Sequence, residues 1–345
     1  MKKIPTLLLL GVMSILGPDA LAREVPSSAA PVNASFIQLN RDFGSWSDAQ
    51  WRAALEEAKS IGVDTVIVQW SAEGDVAYFE PSPIRYTESF PAVNRILRAS
   101  ERLGLKVVLG LSHDPEYWRF IKARDDVREV YFRVRASENM ELIGALLDVF
   151  GAARVWTGYY ITEEIDDLSW REGKSMEIFR NYLFRLGRVL EAVDPDREVV
   201  ISSFFRRRTA PLAYASNMRE LLRDTVVDRV LIQDGVGVDP LPARFVRFYI
   251  EALSEVFSRD PEAPALDFVM EIFKQTSGPD EAFVAVSAPV ERVQSQLENL
   301  APHSSGITLF TLLDYAAPGN GVEAESLYQL IAEWNASIRS DLGED

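Results

Sequence analysis

The sequence predicts an α/β fold of one domain, a (β/α)8 TIM barrel. Two observations carry that expectation. Eight short runs rich in Val, Ile, Leu and Phe alternate with amphipathic segments of helical periodicity, the pattern of βαβ units around a parallel sheet. The runs are apolar on successive residues, as strands covered on both faces must be. Length agrees: 345 residues without a composition break or internal repeat accommodate one barrel of roughly 250 residues plus its loops.

Residues 1–22 read as a signal peptide. Lys2-Lys3 is a basic start, Leu7 to Leu16 is an apolar run, and Ala20-Leu21-Ala22 offers a small-x-small cleavage site. The run is short of the roughly 20 residues a membrane span needs. Residues 23–33, rich in Pro, Ser and Ala, read as a linker, and the barrel is expected over residues 34–340. Its elements follow in order. Ser35–Leu39 is the first strand. Ser47 caps a helix over Asp48–Ile61 that ends at Gly62. Strand Thr65–Trp70 precedes helix Pro91–Leu103, with Pro in its first turn and Gly104 at its end. Strand Lys106–Ser112 precedes helix Ser137–Phe150. Strand Val155–Ile161 precedes helix Ser175–Val193, closed by Asp194-Pro195. Strands Glu198–Phe204, Arg229–Gln233, Asp267–Ile272 and Gly306–Leu312 alternate with helices Pro211–Arg223, Ala243–Phe257, Val290–Leu300 and Glu323–Ile338. Residues 72–90 and 113–136 are left as two long loops, candidate walls of a site.

Composition excludes several chemistries. Without cysteine there is no disulfide, thiol nucleophile or zinc-thiolate centre, and with His113 and His303 as the only histidines a His-rich metal site is impossible. The formal charge of −16 repels nucleic acid and anionic membranes and suits a neutral or cationic substrate. An open doubly wound sheet would carry a Gly-rich phosphate turn. Gly235-Val236-Gly237 lacks the third glycine and the lysine of such turns. No D-x-D-x-D-G loop supports a Mg²⁺ or Ca²⁺ site. No cofactor or metal is therefore expected.

In a βα barrel, functional residues sit at the carboxyl ends of the strands. Gln38 and Asn40, Gln69 and Trp70, His113 and Asp114, Glu163-Glu164 with Asp166, Gln233 and Asp234, Glu271, and Asp314 with Tyr315 all fall there. Tyr160, Trp118 and further aromatics (Trp46, Tyr78, Phe79, Tyr86, Tyr117, Trp170) share this region. Sugar rings pack an apolar C–H face on aromatics while their hydroxyls take amide and carboxylate partners, so this set points to an oligo- or polysaccharide, with Trp70 and Trp118 as foremost contacts. Arg206-Arg207-Arg208, after the fifth strand, reads as a group that binds an anion or, the favoured reading, as a basic patch balancing the acidic rim. Two carboxyls flanking one bond suffice for glycoside hydrolysis. Adjacent strand residues face opposite ways, so Glu163 and Glu164 cannot both serve without a bulge. Glu164, opening the loop before Asp166, is the expected acid/base, and Glu271 the nucleophile.

Glutamates on the fourth and seventh strands resemble the clan of retaining (β/α)8 glycoside hydrolases, which places Asn before the fourth-strand Glu where this chain has Glu163. More closely, Ser35-Phe36-Ile37-Gln38-Leu39, the run from Gly62 to Trp70, the run from Tyr160 to Asp167, and Gln233-Asp234-Gly235-Val236-Gly237 resemble an uncharacterised family of exported bacterial barrels grouped with glycosidases, over roughly residues 34–335. The resemblance implies hydrolysis of an envelope or extracellular polysaccharide by a periplasmic or secreted protein. The alternative is a non-catalytic polysaccharide-binding barrel serving export or modification.

Overall fold

The computed structural model describes residues 29–171, 173–238, 243–278 and 281–342; the expected signal peptide and most of the expected linker lie outside them. Eight parallel strands close into a barrel in chain order. They are β1 (Val32–Ile37), β2 (Thr65–Val68), β3 (Lys106–Gly110), β4 (Trp156–Ile165), β5 (Glu198–Phe204), β6 (Arg229–Gln233), β7 (Ala265–Glu271) and β8 (Ile307–Phe310). The seam forms where Ser35 of β1 pairs with Leu309 of β8. β1 starts at Val32, inside the stretch expected to be linker. Both backbone polar groups of Val32 bond the Asn335 side chain, which also donates to the Ile61 carbonyl.

The helices are α1 (Asp48–Ser60), α2 (Ala92–Leu103), α3 (Asp125–Phe150), α4 (Gly173–Val193), α5 (Pro211–Leu222), α6 (Ala243–Ser258), α7 (Val290–Leu300) and α8 (Val322–Leu342). Ser47 and Gln50 form a reciprocal capping box at α1, so two otherwise orphaned N–H groups are satisfied. Gly104 ends α2 at φ 68°, a left-handed conformation that costs glycine little.

Both faces of the sheet are buried. Inside the barrel, Phe36, Ile67, Val108, Tyr160, Val200, Leu231 and Val269 pack together with Phe310, one residue from each strand. Outside, the opposite strand faces meet the apolar stripes of the helices in one large core. Side chains thus fill the middle of the barrel, and cavities lie at its two ends, the larger at the carboxyl ends of the strands.

The two expected loops are largely ordered elements. Ala72–Glu73, Val76–Ala77, Glu88–Ser89 and Ser112–His113 form a small sheet beside the mouth. It buries Tyr78, Phe79 and Tyr86, which therefore pack this lobe instead of reaching the site. Residues 113–136 hold a short helix, Tyr117–Phe120, and the first half of α3, which begins twelve residues before the expected Ser137. The reason is sequence-level: Asp125 and Asp126 are favourable at a helix N-terminus, and Tyr131, Phe132, Arg135 and Ala136 form a buried stripe continuous with Asn139 and Leu142. Among the described residues no helix is long and apolar enough to cross a membrane.

Candidate active site

The carboxyl ends of the strands enclose a cavity of about 460 Å³. Glu164 and Glu271 both line it, together with Gln38, Gln69, Trp70, His113, Trp118 and Gln233.

The end of β4 decides which of the paired glutamates faces inward. Between Ile161 and Ile165, four residues of β4 advance against two of β5, an irregularity that turns the strand end. Glu163, 2% exposed, points back into the helical layer. It accepts from Arg135 Nε at 3.0 Å and from the Tyr182 hydroxyl at 2.5 Å. Glu164 faces the cavity, accepting from Gln233 Nε2 at 2.8 Å and, at long range, from Ser202 Oγ at 3.5 Å. Burial pushes its carboxyl above the usual glutamate range, opposed by those two donors and by the nearby Arg206 charge.

Glu271, 4% exposed, closes β7. Its Oε2 accepts from the Gly237 N–H at 2.6 Å. A Cβ at Gly237 would stand 2.8 Å from the same oxygen, so this position admits only glycine without displacement. Asp234 lies directly behind: its Oδ1 accepts from the Glu271 N–H at 3.3 Å and its Oδ2 from Gln296 Nε2 at 2.5 Å. Burial and then the Asp234 charge push the Glu271 carboxyl well up. Burial likewise raises Asp234. The two carboxyls titrate as a unit, so their proton belongs to the pair.

The other walls are aromatic and amide. Trp70 donates Nε1–H to the Leu39 carbonyl at 2.8 Å and stacks on His113 with ring centroids 4.8 Å apart. Burial lowers the His113 imidazole to about 4, so it is neutral at neutral pH. The Oε1 of Gln69 is buried and, among the described residues, without a hydrogen-bond partner.

Several expected contacts sit elsewhere. Tyr160 is buried in the barrel interior below the cavity, sharing a hydrogen bond with Ser202. Asn40 caps the short helix Arg41–Ser45. Asp114 accepts from the Glu116 N–H, and Asp166 from the Leu168 and Ser169 N–H groups. Asp314 pairs with the Thr311 side chain, and Tyr315 packs on Phe273. Asp234 supports Glu271 without lining the cavity. Trp170 is buried beneath the loops. The short polar residues among these satisfy orphaned backbone donors, the commonest duty of Asn and Asp at element ends. Unforeseen lining residues are mainly apolar: Phe204, Phe205, Phe273 and Phe310, with Thr162 and Arg206. The phenylalanines end or follow strands and read in sequence as core. Among the described residues no three His, Asp or Glu side chains gather as a metal site would require.

The chain belongs to the family described as a domain of unknown function, DUF4434, which matches residues 32–321. It is 30% identical over 291 residues to the uncharacterized protein YbcH of Escherichia coli strain K12, covering 82% of this chain and 89% of that one. Three solved structures with a similar architecture carry the names of glycoside hydrolases. One, from Bacteroides thetaiotaomicron and provisionally described as an α-L-fucosidase, superposes with TM-score 0.71 at 16% identity, covering 94% of this chain and 99% of the other. A β-galactosidase from a psychrophilic Marinomonas gives TM-score 0.60 at 12% identity over 91% of this chain and 61% of its own. An intracellular xylanase of Thermoanaerobacterium saccharolyticum, solved with xylotriose, gives 0.51 at 11% identity over 88% and 95%. At such identities the likeness shows a shared (β/α)8 barrel fold.

Proposed function

We propose that this protein is an exported glycoside hydrolase acting on a bacterial envelope or extracellular polysaccharide. One observation carries the reading: carboxyl groups from the ends of β4 and β7 line a single cavity whose other walls are tryptophan, phenylalanine and glutamine. Glycoside hydrolysis requires one carboxyl to protonate the leaving oxygen while the other attacks the anomeric carbon or activates water. It therefore requires that a proton be held in the site near neutral pH while a second carboxyl stays ionised. Burial and the proximity of Asp234 to Glu271 supply the first condition. The Gln233 and Ser202 donors and the Arg206 charge oppose the burial that raises Glu164 and so favour its ionised form. With the proton on the Glu271–Asp234 pair, Glu271 is the acid and Glu164 the nucleophile or base, the reverse of the roles expected from the sequence. Trp70 offers an apolar face for a pyranose, and the unpartnered Gln69 Oε1 offers an acceptor for a hydroxyl. The fold shared with named glycosidases supports the same conclusion.

The test is reducing-end release from a panel of microbial polysaccharides. Wild type should release sugar, while Glu164→Gln and Glu271→Gln should each lose about 10²–10⁴-fold in rate with folding intact. Saturable binding without release by wild type would replace hydrolysis with a binding role.

A further inference from the structure

Beside the main cavity lies a second, of about 350 Å³, and the two share Trp118, Phe204 and Arg206 as a common wall. Lys122, Arg206 and Arg208 all border it, and all three are exposed; Asp166 and Asp167 border it as well. The sequence reading treated this basic run as a counterweight to rim acids. The structure gives those acids other partners. Asp166 accepts from two backbone N–H groups, at 3.3 and 2.6 Å, and from the Ser169 hydroxyl at 2.9 Å. Asp167 is buried, and its Oδ2 accepts from the N–H groups of Arg208 and Thr209 at 2.6 and 3.1 Å. Among the described residues, no ion pair engages the side chains of Lys122, Arg206 or Arg208; Arg206 instead lies 5.1 Å from the centroid of the Phe204 ring.

Three cations thus border an aromatic shelf that continues the cavity holding Glu164. The three cations face two carboxylates whose oxygens are taken by backbone N–H groups, so the cleft has a small excess of positive charge in a chain of net charge −16, and it adjoins the cavity. A guanidinium beside an aromatic face suits a pyranose that stacks its C–H face and presents a carboxylate at its edge.

We propose that this cleft is a subsite for a hexuronic acid unit, and that the polysaccharide bound here is acidic. The proposal rests on the glycan-binding reading of the main cavity and names its substrate class; it does not require turnover. It departs from the expectation, drawn from overall charge, of a neutral or cationic substrate.

The experiment measures binding, separately from hydrolysis. Full-length protein is titrated calorimetrically with oligouronides and with the same oligomers after reduction of their carboxyls to hydroxymethyl groups. At least one oligouronide should bind about tenfold more tightly than its reduced form, the scale of one partly shielded charge-assisted hydrogen bond. The preference should shrink as salt is raised. Lys122→Ala combined with Arg208→Ala, neither of which lines the main cavity, should shrink the preference while leaving binding of the reduced oligomer unchanged, and Arg206→Lys should retain part of it. Equal binding of acidic and reduced oligomers would overturn the proposal, as would an undiminished preference in the double variant or binding confined to neutral or glucosamine oligomers. Preferential binding without sugar release would leave the subsite standing and refute only the hydrolase reading.

Discussion

Replacing Arg135 with methionine should unfold the end of β4 without touching any residue that lines the cavity. Arg135 is 3% exposed, and its partner Glu163 is 2% exposed. Besides the 3.0 Å contact with Glu163, Arg135 bonds Glu138 at 2.6 Å and the Ser112 carbonyl, so one guanidinium ties α3, β4 and the small sheet together. Removing one partner of a buried ion pair strands the other charge, a loss of about 3–5 kcal/mol. In Arg135→Met the Tyr182 hydroxyl still serves Glu163 Oε2, but Oε1 keeps no donor. For a domain of this size the loss corresponds to a fall in Tm of roughly 10 °C. Urea unfolding measures the free energy, and thermal melts should agree in rank. Glu163→Gln should cost less than Arg135→Met, because it keeps an acceptor for Arg135 and leaves no buried charge without a counter-ion on the carboxyl side. The double variant should lose less than the sum of the two, since neighbours sharing one contact do not add. Below its melting temperature, Glu163→Gln should keep turnover within about tenfold, against the larger loss expected for Glu164→Gln. A loss below about 1 kcal/mol in Arg135→Met would show the pair to be solvated, and the division of labour between Glu163 and Glu164 would fail with it.

Gly237→Ala would press a methyl group between Glu271 Oε2 and the Phe273 ring, 2.8 and 2.7 Å from the ideal Cβ; a loss of about 1–3 kcal/mol in urea unfolding is expected, with a larger proportional loss of turnover. Glu271 and Asp234 have raised proton affinity in the folded state, so the native protein binds more protons than the unfolded chain above the ordinary carboxylate range. Their contribution to stability is full below that range and is lost as pH rises through the raised values, so Glu271→Gln should flatten the alkaline decline seen in urea midpoints. Trp70→Ala should weaken oligosaccharide binding at least tenfold in titration calorimetry, through loss of the stacking face and release of His113 from its 4.8 Å contact. Tyr160→Phe should leave binding unchanged and cost about 1 kcal/mol through its lost bond to Ser202.

The barrel was legible because its strands obey one physical demand: runs such as Val66-Ile67-Val68 and Val199-Val200-Ile201 must be apolar on both faces, and nothing but a covered parallel sheet satisfies that. The site was legible where a long polar or charged residue ends a strand and lines the cavity, as Gln38, Gln69, Gln233 and Glu271 do. Asn40, Asp114, Asp166 and Asp314 follow the same positional rule, yet each accepts from a local donor, and sequence position does not separate a turn acceptor from a substrate contact. Tyr160 failed for a different reason. The interior of the barrel is filled, so a residue halfway along β4 belongs to the floor and not to the wall. Strand alternation excludes only that Glu163 and Glu164 both face the site, and Glu164 is preferred because it opens the loop before Asp166; what holds Glu163 away, Arg135 on the early turns of α3, lies in a segment expected to be loop. The wall of phenylalanines was hidden because an aromatic at a strand end looks identical whether it faces helices or an open cavity.

The most direct measurement is sugar release by wild type, Glu164→Gln and Glu271→Gln from the acidic polysaccharide that binds best, each variant shown to melt cooperatively. Release by the wild type, with loss of at least a hundredfold in both variants, is the predicted result. Full activity in either one would remove that carboxyl from the chemistry and contradict a mechanism built across β4 and β7.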